Sequence, residues 1–151
     1  MANIYMQFSE ELPLETEEEH EWIRNALKGI DPDLLEEGRE EELEAWCDAR
    51  QIDKDSAEYF PMFGWGITIG RLWVYSEESA DLDHVVGVVQ SFLRKFRPKS
   101  CCCLQYAETC SRPRIGEFGG GAVFVTADNV NWLNTGAWVT DRTAGFEEGN
   151  R

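Results

Sequence analysis

The residues best suited to chemistry fall into two groups. The first lies between Cys110 and Gly121, where a thiol, the guanidinium groups of Arg112 and Arg114, the carboxylate of Glu117 and the run Gly119-Gly120-Gly121 come close together in sequence. Two arginines suit a clamp on a carboxylate or phosphate, and consecutive glycines suit a cradle of backbone N–H groups around an anion. With Cys110 as nucleophile and Glu117 as base the segment would become catalytic, but such a thiol needs an activating neighbour. The only histidines, His20 and His84, lie far away in sequence, and a surface or capping role is the default for each. The structural reading of the same segment is plainer. A triple glycine entering a strand is a bulge or turn, a cysteine at a strand end is core, and the arginines pair with acidic helices of the same chain.

The second group is acidic. Glu36, Glu40, Glu44 and Asp48 recur every fourth residue, Glu37 and Glu41 add a parallel row, and Glu15, Glu18 and Glu19 lie upstream. On a helix each like-charge pair at that spacing costs roughly 0.2–0.5 kcal/mol, so the array either serves a partner or is a solvated face whose cost is tolerated. Its placement is informative. The chain carries a formal net charge of −15, and residues 1–60 hold 19 acids and 5 bases against 10 and 9 in residues 61–151. Adaptation to high salt would spread acids over the whole surface. A charge concentrated in the front third instead makes a polarised field that steers basic partners and repels nucleic acid.

A chain of 151 residues, 42% hydrophobic with six Trp and eight Phe, is read as one domain with a sizeable core, an acidic helical part at 10–60 followed by sheet and long helix at 61–140. No apolar run approaches the roughly 20 residues that span a bilayer, and the start MANIYMQFSEEL has neither a basic nor an apolar signal region, so a cytoplasmic protein is expected. Five cysteines, three of them adjacent at Cys101, Cys102 and Cys103, do not form a spaced disulfide framework. In a strand the triplet would point to alternate faces and could not ligate one metal. It reads as small core residues, and neither metal nor cofactor is expected.

The elements that position these groups follow in order. Ile4 to Phe8 reads as a short strand or an ordered arm. Thr16 and Glu19 have capping-box spacing ahead of a helix from Glu17 to about Lys28, ended by Gly29, with Trp22, Ile23, Ala26 and Leu27 inward. Asp31-Pro32-Asp33 starts a second helical stretch running to Arg50, broken at Gly38, with Leu34, Leu35, Leu43, Trp46 and Cys47 inward. Trp22 and Trp46 are anchors of these helices. Met62–Ile69 and Leu72–Ser76 form a hairpin turning at Gly70-Arg71 in a type II′ turn; Gly64, Gly66 and Thr68 leave one face bare for close approach of backbone or helix. Ser79 or Asp81 caps a long apolar helix to Phe96. Cys101–Ala107, apolar at nearly every position, reads as a central strand covered on both faces. Gly120–Ala127 and Val130–Thr135 form a second hairpin, with Asp128-Asn129 as a primed turn, and Trp138-Val139 reads as an edge strand before a frayed tail. The fold expected is α+β: two layers, an antiparallel or mixed sheet with the long helix on one face and two acidic N-terminal helices.

The segment Cys110-Ser111-Arg112-Pro113-Arg114, followed by Glu117-Phe118-Gly119-Gly120-Gly121-Ala122-Val123-Phe124-Val125-Thr126-Ala127-Asp128, resembles a stretch found in uncharacterised small proteins of phages and plasmids. The resemblance covers the C-terminal half, from the long helix onward, and implies a mobile-element setting with no activity attached. In such settings small acidic proteins inhibit host defence, as anti-CRISPR and antirestriction proteins do.

The expected function is therefore non-enzymatic. The acidic helical face would occupy a basic, nucleic-acid-binding site of a host-defence or DNA-processing complex, with no direct nucleic acid or membrane contact. Two other readings stay open: an anion-binding or catalytic loop at Cys110–Gly121, and a protein-interaction domain without mimicry. Target and oligomeric state are not legible from the sequence.

Overall fold

The computed structural model describes residues 2–150. Strands β1 (Ile4–Pro13), β2 (Gly64–Thr68), β3 (Arg71–Ser76), β4 (Cys101–Cys110), β5 (Gly119–Thr126) and β6 (Val130–Asn134) form one antiparallel sheet in the order β2-β3-β1-β4-β5-β6. The helices are α1 (Glu17–Ala26), α2 (Pro32–Glu36), α3 (Glu40–Arg50), α4 (Leu82–Phe96) and α5 (Thr135–Gly149). A single 3-10 turn, Lys54–Tyr59, links α3 to the sheet. The fold is the two-layer α+β arrangement that strands and an amphipathic crossover helix dictate.

The long helix α4 lies against the sheet because its apolar positions recur at helical spacing: Leu82, Val85, Val86, Val89, Phe92 and Leu93 are buried. Asp81 caps it, accepting from Asp83 N–H at 2.9 Å. Helices α1 and α3 pack beside it, and the core joins Ile23, Leu27, Leu43 and Cys47 from these helices to Phe8, Leu12, Leu72, Val74, Leu104, Val123 and Val125 from the sheet.

The N-terminal segment is more than a short strand or arm. β1 runs ten residues through the middle of the sheet. Its first part pairs with β4 from Ile4↔Cys110 to Gln7↔Ala107, and its second with β3 from Phe8↔Ser76 to Pro13↔Arg71. The polar run Ser9-Glu10-Glu11 hides this, because only Phe8 and Leu12 of that half point into the core.

β4 is central, as its composition suggests, but covered on one face only. Leu104 is buried whereas Cys101, Cys103, Gln105 and Ala107 are exposed. Among the described residues no helix covers the other face of the sheet, and cysteine, small and weakly polar, is tolerated at the surface as well as inside. The reading of the triplet as core therefore fails for Cys101 and Cys103. All five cysteines are free thiols; the half-buried Cys102 thiol is pushed up to about 11 by burial, then by neighbouring thiols and Glu10.

Both turns differ in detail from expectation. Thr68 pairs with Arg71, which centres the first turn on Ile69-Gly70, with Gly70 at φ +92°. A glycine of positive φ at the third position is the type II pattern rather than II′. In the second, Thr126 N–H donates to Asn129 O at 2.8 Å and Asn129 N–H to Thr126 Oγ1 at 3.0 Å, so the loop is Ala127-Asp128. Neither Asp128 nor Asn129 has a positive φ: the threonine hydroxyl fixes a turn that the primed backbone was expected to make. The bare face of β2 is filled by aromatic rings. Gly64 and Gly66 lie opposite Tyr75 and Trp73, whose rings stack at 4.0 Å, and a Cβ on Gly64 would collide with the Tyr75 ring.

The largest departure is at the C terminus. The segment read as an edge strand and a frayed tail is α5, a helix of 15 residues with none buried. Asn134 ends β6 and caps α5 by accepting from Ala137 N–H at 2.9 Å, a capping role that Asn favours.

The candidate partner-binding face

The acidic face is built by three helices: α1 and α3 bury one side each, and α2 only half-buries Leu34 and Leu35. Thr16 caps α1, accepting from Glu19 N–H at 3.1 Å, and the Glu19 carboxylate accepts from Glu15 N–H at 3.0 Å. Trp22 anchors α1 against Phe92 and Phe96, each at a ring separation of 6.0 Å. Asp31 caps α2, and Gly38 at φ +70° breaks the chain between α2 and α3, as its position suggested. On α3, Leu43 and Cys47 are buried and Trp46 packs edge-on to Phe60 at 5.2 Å.

Two contacts lock α3 in place. Gly87 lets α4 run so close to the end of α3 that a Cβ there would collide with the Arg50 carbonyl oxygen. Arg50 turns back across both helix ends, donating to Ala26 O at 2.8 Å, Asn25 O at 2.9 Å and Trp46 O at 3.2 Å, with its guanidinium 4.3 Å from the Trp46 ring. Burial lowers the Arg50 pKa, but guanidinium remains charged at neutral pH. A polar chain completes the clamp: Gln51 donates to Gln90 at 2.7 Å and Gln90 to Thr126 O at 3.0 Å.

On this rigid base, Glu36, Glu37, Glu40, Glu41, Glu44 and Asp48 are all exposed, as are Glu15 and Glu18. None of these eight has an ion pair among the described residues, whereas Glu17 is paired with Arg24 and Glu42 with Arg39. A helix of eleven residues is about 16 Å long, and α3 places five exposed carboxylates, Glu40, Glu41, Glu42, Glu44 and Asp48, along it. Glu42 is paired with Arg39 and points away from the others, so the unpaired four give about one charge per 4 Å, somewhat sparser than the roughly 3.4 Å per phosphate of one DNA strand.

Glu19 does not belong to this face. It is 4% exposed and forms a buried ion pair with Arg97 at 2.7 Å. The capping-box geometry turns its carboxylate inward, over α4, where the Arg97 guanidinium also lies 5.1 Å from the Phe92 ring. Arg97 therefore serves α1 as well as the end of its own helix.

The face continues into a groove that the sequence did not suggest. Asp53, Asp55, Asp81 and Asp83 rim an open depression of about 550 Å³ beside Trp132. Asp53 and Asp81 are N-caps, so each D-x-D spacing signals a helix start, and only the fold brings the two starts together.

The alternative anion site is not assembled. Gly119, Gly120 and Gly121 are residues of β5, paired with β4 and β6, and Gly120 N–H donates to Thr135 Oγ1 at 3.0 Å. A Cβ on Gly121 would collide with Leu133 O, so the glycines answer to strand packing and form no open cradle. Arg112 and Arg114 are exposed in the loop beyond Cys110, which lies at the end of β1 opposite to α1. They make no ion pair with the acidic helices among the described residues, because that loop and those helices lie at opposite ends of the strand.

His84 departs from the surface or capping role expected of both histidines, whereas half-buried His20 bridges two elements at the surface. His20 donates from Nδ1 to Thr16 O at 2.7 Å and accepts Gly70 N–H on Nε2 at 3.2 Å, tying α1 to the first turn. His84 is fully buried, accepts Met62 N–H on Nδ1 at 3.1 Å and faces Asp81 with Nε2 at 3.4 Å. Burial lowers its pKa against the raising effect of Asp81 and Asp83.

Among the described residues no group of three or more His, Cys, Asp or Glu side chains is placed to hold a metal ion, and no helix is long and apolar enough to cross a membrane. No protein-family model, curated protein or solved structure matches the chain.

Proposed function

We propose that this protein acts by binding, without turnover, and that the exposed carboxylates of α2 and α3 occupy a basic, nucleic-acid-binding surface of a partner complex. The observation that carries this reading is the set Glu40, Glu41, Glu44 and Asp48, exposed and without ion pairs among the described residues on α3, which is anchored from beneath, with Glu36 and Glu37 beside them at the end of α2. Its free carboxylates, about one per 4 Å along α3, approach the charge density that lysines and arginines of a nucleic-acid-binding groove are built to meet. Rigidity supports the same reading, because a preformed array loses less entropy on binding than a flexible one. The aspartate-rimmed groove beside Trp132 extends the acidic surface and offers an aromatic face to an incoming cation. The mobile-element setting implied by the C-terminal segment makes a host-defence complex the natural target.

The test is affinity capture from host lysate by the wild type and by a Glu40→Lys, Glu44→Lys, Asp48→Lys variant. Capture of a nucleic-acid-processing complex by the wild type alone supports the proposal. Capture that survives the reversal refutes it, and Arg112→Ala with Arg114→Ala leaves capture unchanged unless the loop at Cys110–Gly121 is the binding site.

A further inference from the structure

Helix α5 presents a physical problem. It has no buried residue, and it contains Gly136, Gly145 and Gly149 with threonines at 135, 140 and 143. Isolated helices shorter than about 12–15 residues are marginal in water even when rich in alanine, and each interior glycine costs about 1 kcal/mol relative to alanine. Packing outside its own residues has to hold it. Trp138, Val139 and Phe146, exposed by 55%, 54% and 73%, lie within about 100° of the helix circumference at 100° per residue. Arg142 stacks on Trp138 at 5.3 Å within the same stripe.

The sheet has the complementary problem. Its helix-free face exposes Trp73, Phe124 and Leu133 by 44%, 43% and 55%. On its β1 and β3 strands the charged residues Arg71 and Glu11 neutralise one another at 2.9 Å. α5 cannot close over this face in its own chain. No linker separates β6 from α5: Asn134 is both the last strand residue and the cap, and the Thr135 hydroxyl is held by Gly120 N–H.

We infer that two copies of this chain form a two-fold dimer in which α5 of each lies, by its Trp138–Phe146 stripe, across the helix-free sheet face of the other. A second copy satisfies both needs at once, since the chain carries both halves of the contact and two-fold symmetry uses each twice. A helix of 15 residues is about 22 Å long, and two such contacts bury on the order of 1,600 Å², the size of a standard stable interface. Charge permits the same occupant, although each copy carries a net −15. The acids are concentrated in the helical front third, on the far side of the sheet, so joining sheet faces holds the two acidic fronts apart. The dimer would present both fronts outward.

Sedimentation equilibrium of the full chain over a concentration series tests this. The wild type is expected at twice the chain mass. Trp138→Asp with Phe146→Asp, and separately Phe124→Asp, are expected to raise the dimer dissociation constant by about a thousandfold, since two-fold symmetry removes a hot spot worth about thirtyfold from each of the two contacts. Circular dichroism and denaturant unfolding check that the sheet remains folded in each. Mixing the α5 variant with the sheet variant leaves one intact contact, α5 of the second on the sheet of the first, and should restore association in part. A monomeric wild type, a dimer indifferent to both changes, or a mixture with no gain over either variant alone would each overturn the inference.

Discussion

If the acidic row exists for a partner, removing it should make the isolated protein more stable. Glu44 is the best position to ask. It has like-charged neighbours at Glu40, Glu41 and Asp48, three or four residues away along α3, and no ion pair among the described residues. Each such pair costs roughly 0.2–0.5 kcal/mol, and Glu44→Lys turns three repulsions into attractions, a swing of roughly 1–3 kcal/mol before screening. Exposure and salt reduce surface pairs, so about 1 kcal/mol is the expected gain at low ionic strength, or about 2–4 °C in Tm for a chain of this size. Urea unfolding of both proteins, at low salt and again at high salt, reads it directly: the midpoint should rise in the variant, and the difference should shrink as salt screens it. An unchanged or lower midpoint at low salt would refute the reasoning, because it would mean that the Glu44 carboxylate contributes to the fold.

Other substitutions probe the frame beneath the face. Glu19→Gln keeps the acceptor for Glu15 N–H but strands Arg97, whose side chain is 16% exposed, and should cost about 3 kcal/mol by urea unfolding; Glu18→Gln, on the exposed side, should stay within about 0.5 kcal/mol. Gly87→Val should lower stability by about 2 kcal/mol or more and loosen α3 in hydrogen exchange, since the added carbons meet the Arg50 carbonyl. His84 has a lowered pKa in the fold, so the unfolded chain binds its proton first as pH drops. Its contribution is complete above the ordinary histidine range near pH 6.5 and is lost as pH falls through the folded value, so stability should decline from pH 7 to 5, with a smaller slope in His84→Asn.

How far the sequence reveals this molecule depends on the kind of signal each segment carries. The Thr16 and Asp81 caps, the apolar stripe of α4 and the break at Gly38 are local, and all appear where the pattern puts them. β1 was only half legible, because Ser9 and Glu11 point to an uncovered face and a polar run there looks like a loop. For β4 the cysteines misled: they read as apolar on both sides, while only one side has a layer to cover it. α5 is hidden for a deeper reason. Its glycines and threonines argue against a helix, and its apolar stripe has no partner within the described residues. At the candidate site, the alternation of acids along α2 and α3 was readable from spacing alone, but the inward turn of Glu19 depends on Arg97, 78 residues away. The groove at Asp53, Asp55, Asp81 and Asp83 likewise joins two caps that only the tertiary fold brings together.

The most direct test of the acidic-face account is displacement of labelled duplex DNA from the captured complex by the purified protein, run across a salt series. The account predicts competitive displacement by the wild type, steeply weaker as salt rises, and none by the Glu40→Lys, Glu44→Lys, Asp48→Lys variant. Equal displacement by that variant, or binding that leaves the DNA in place, would contradict it.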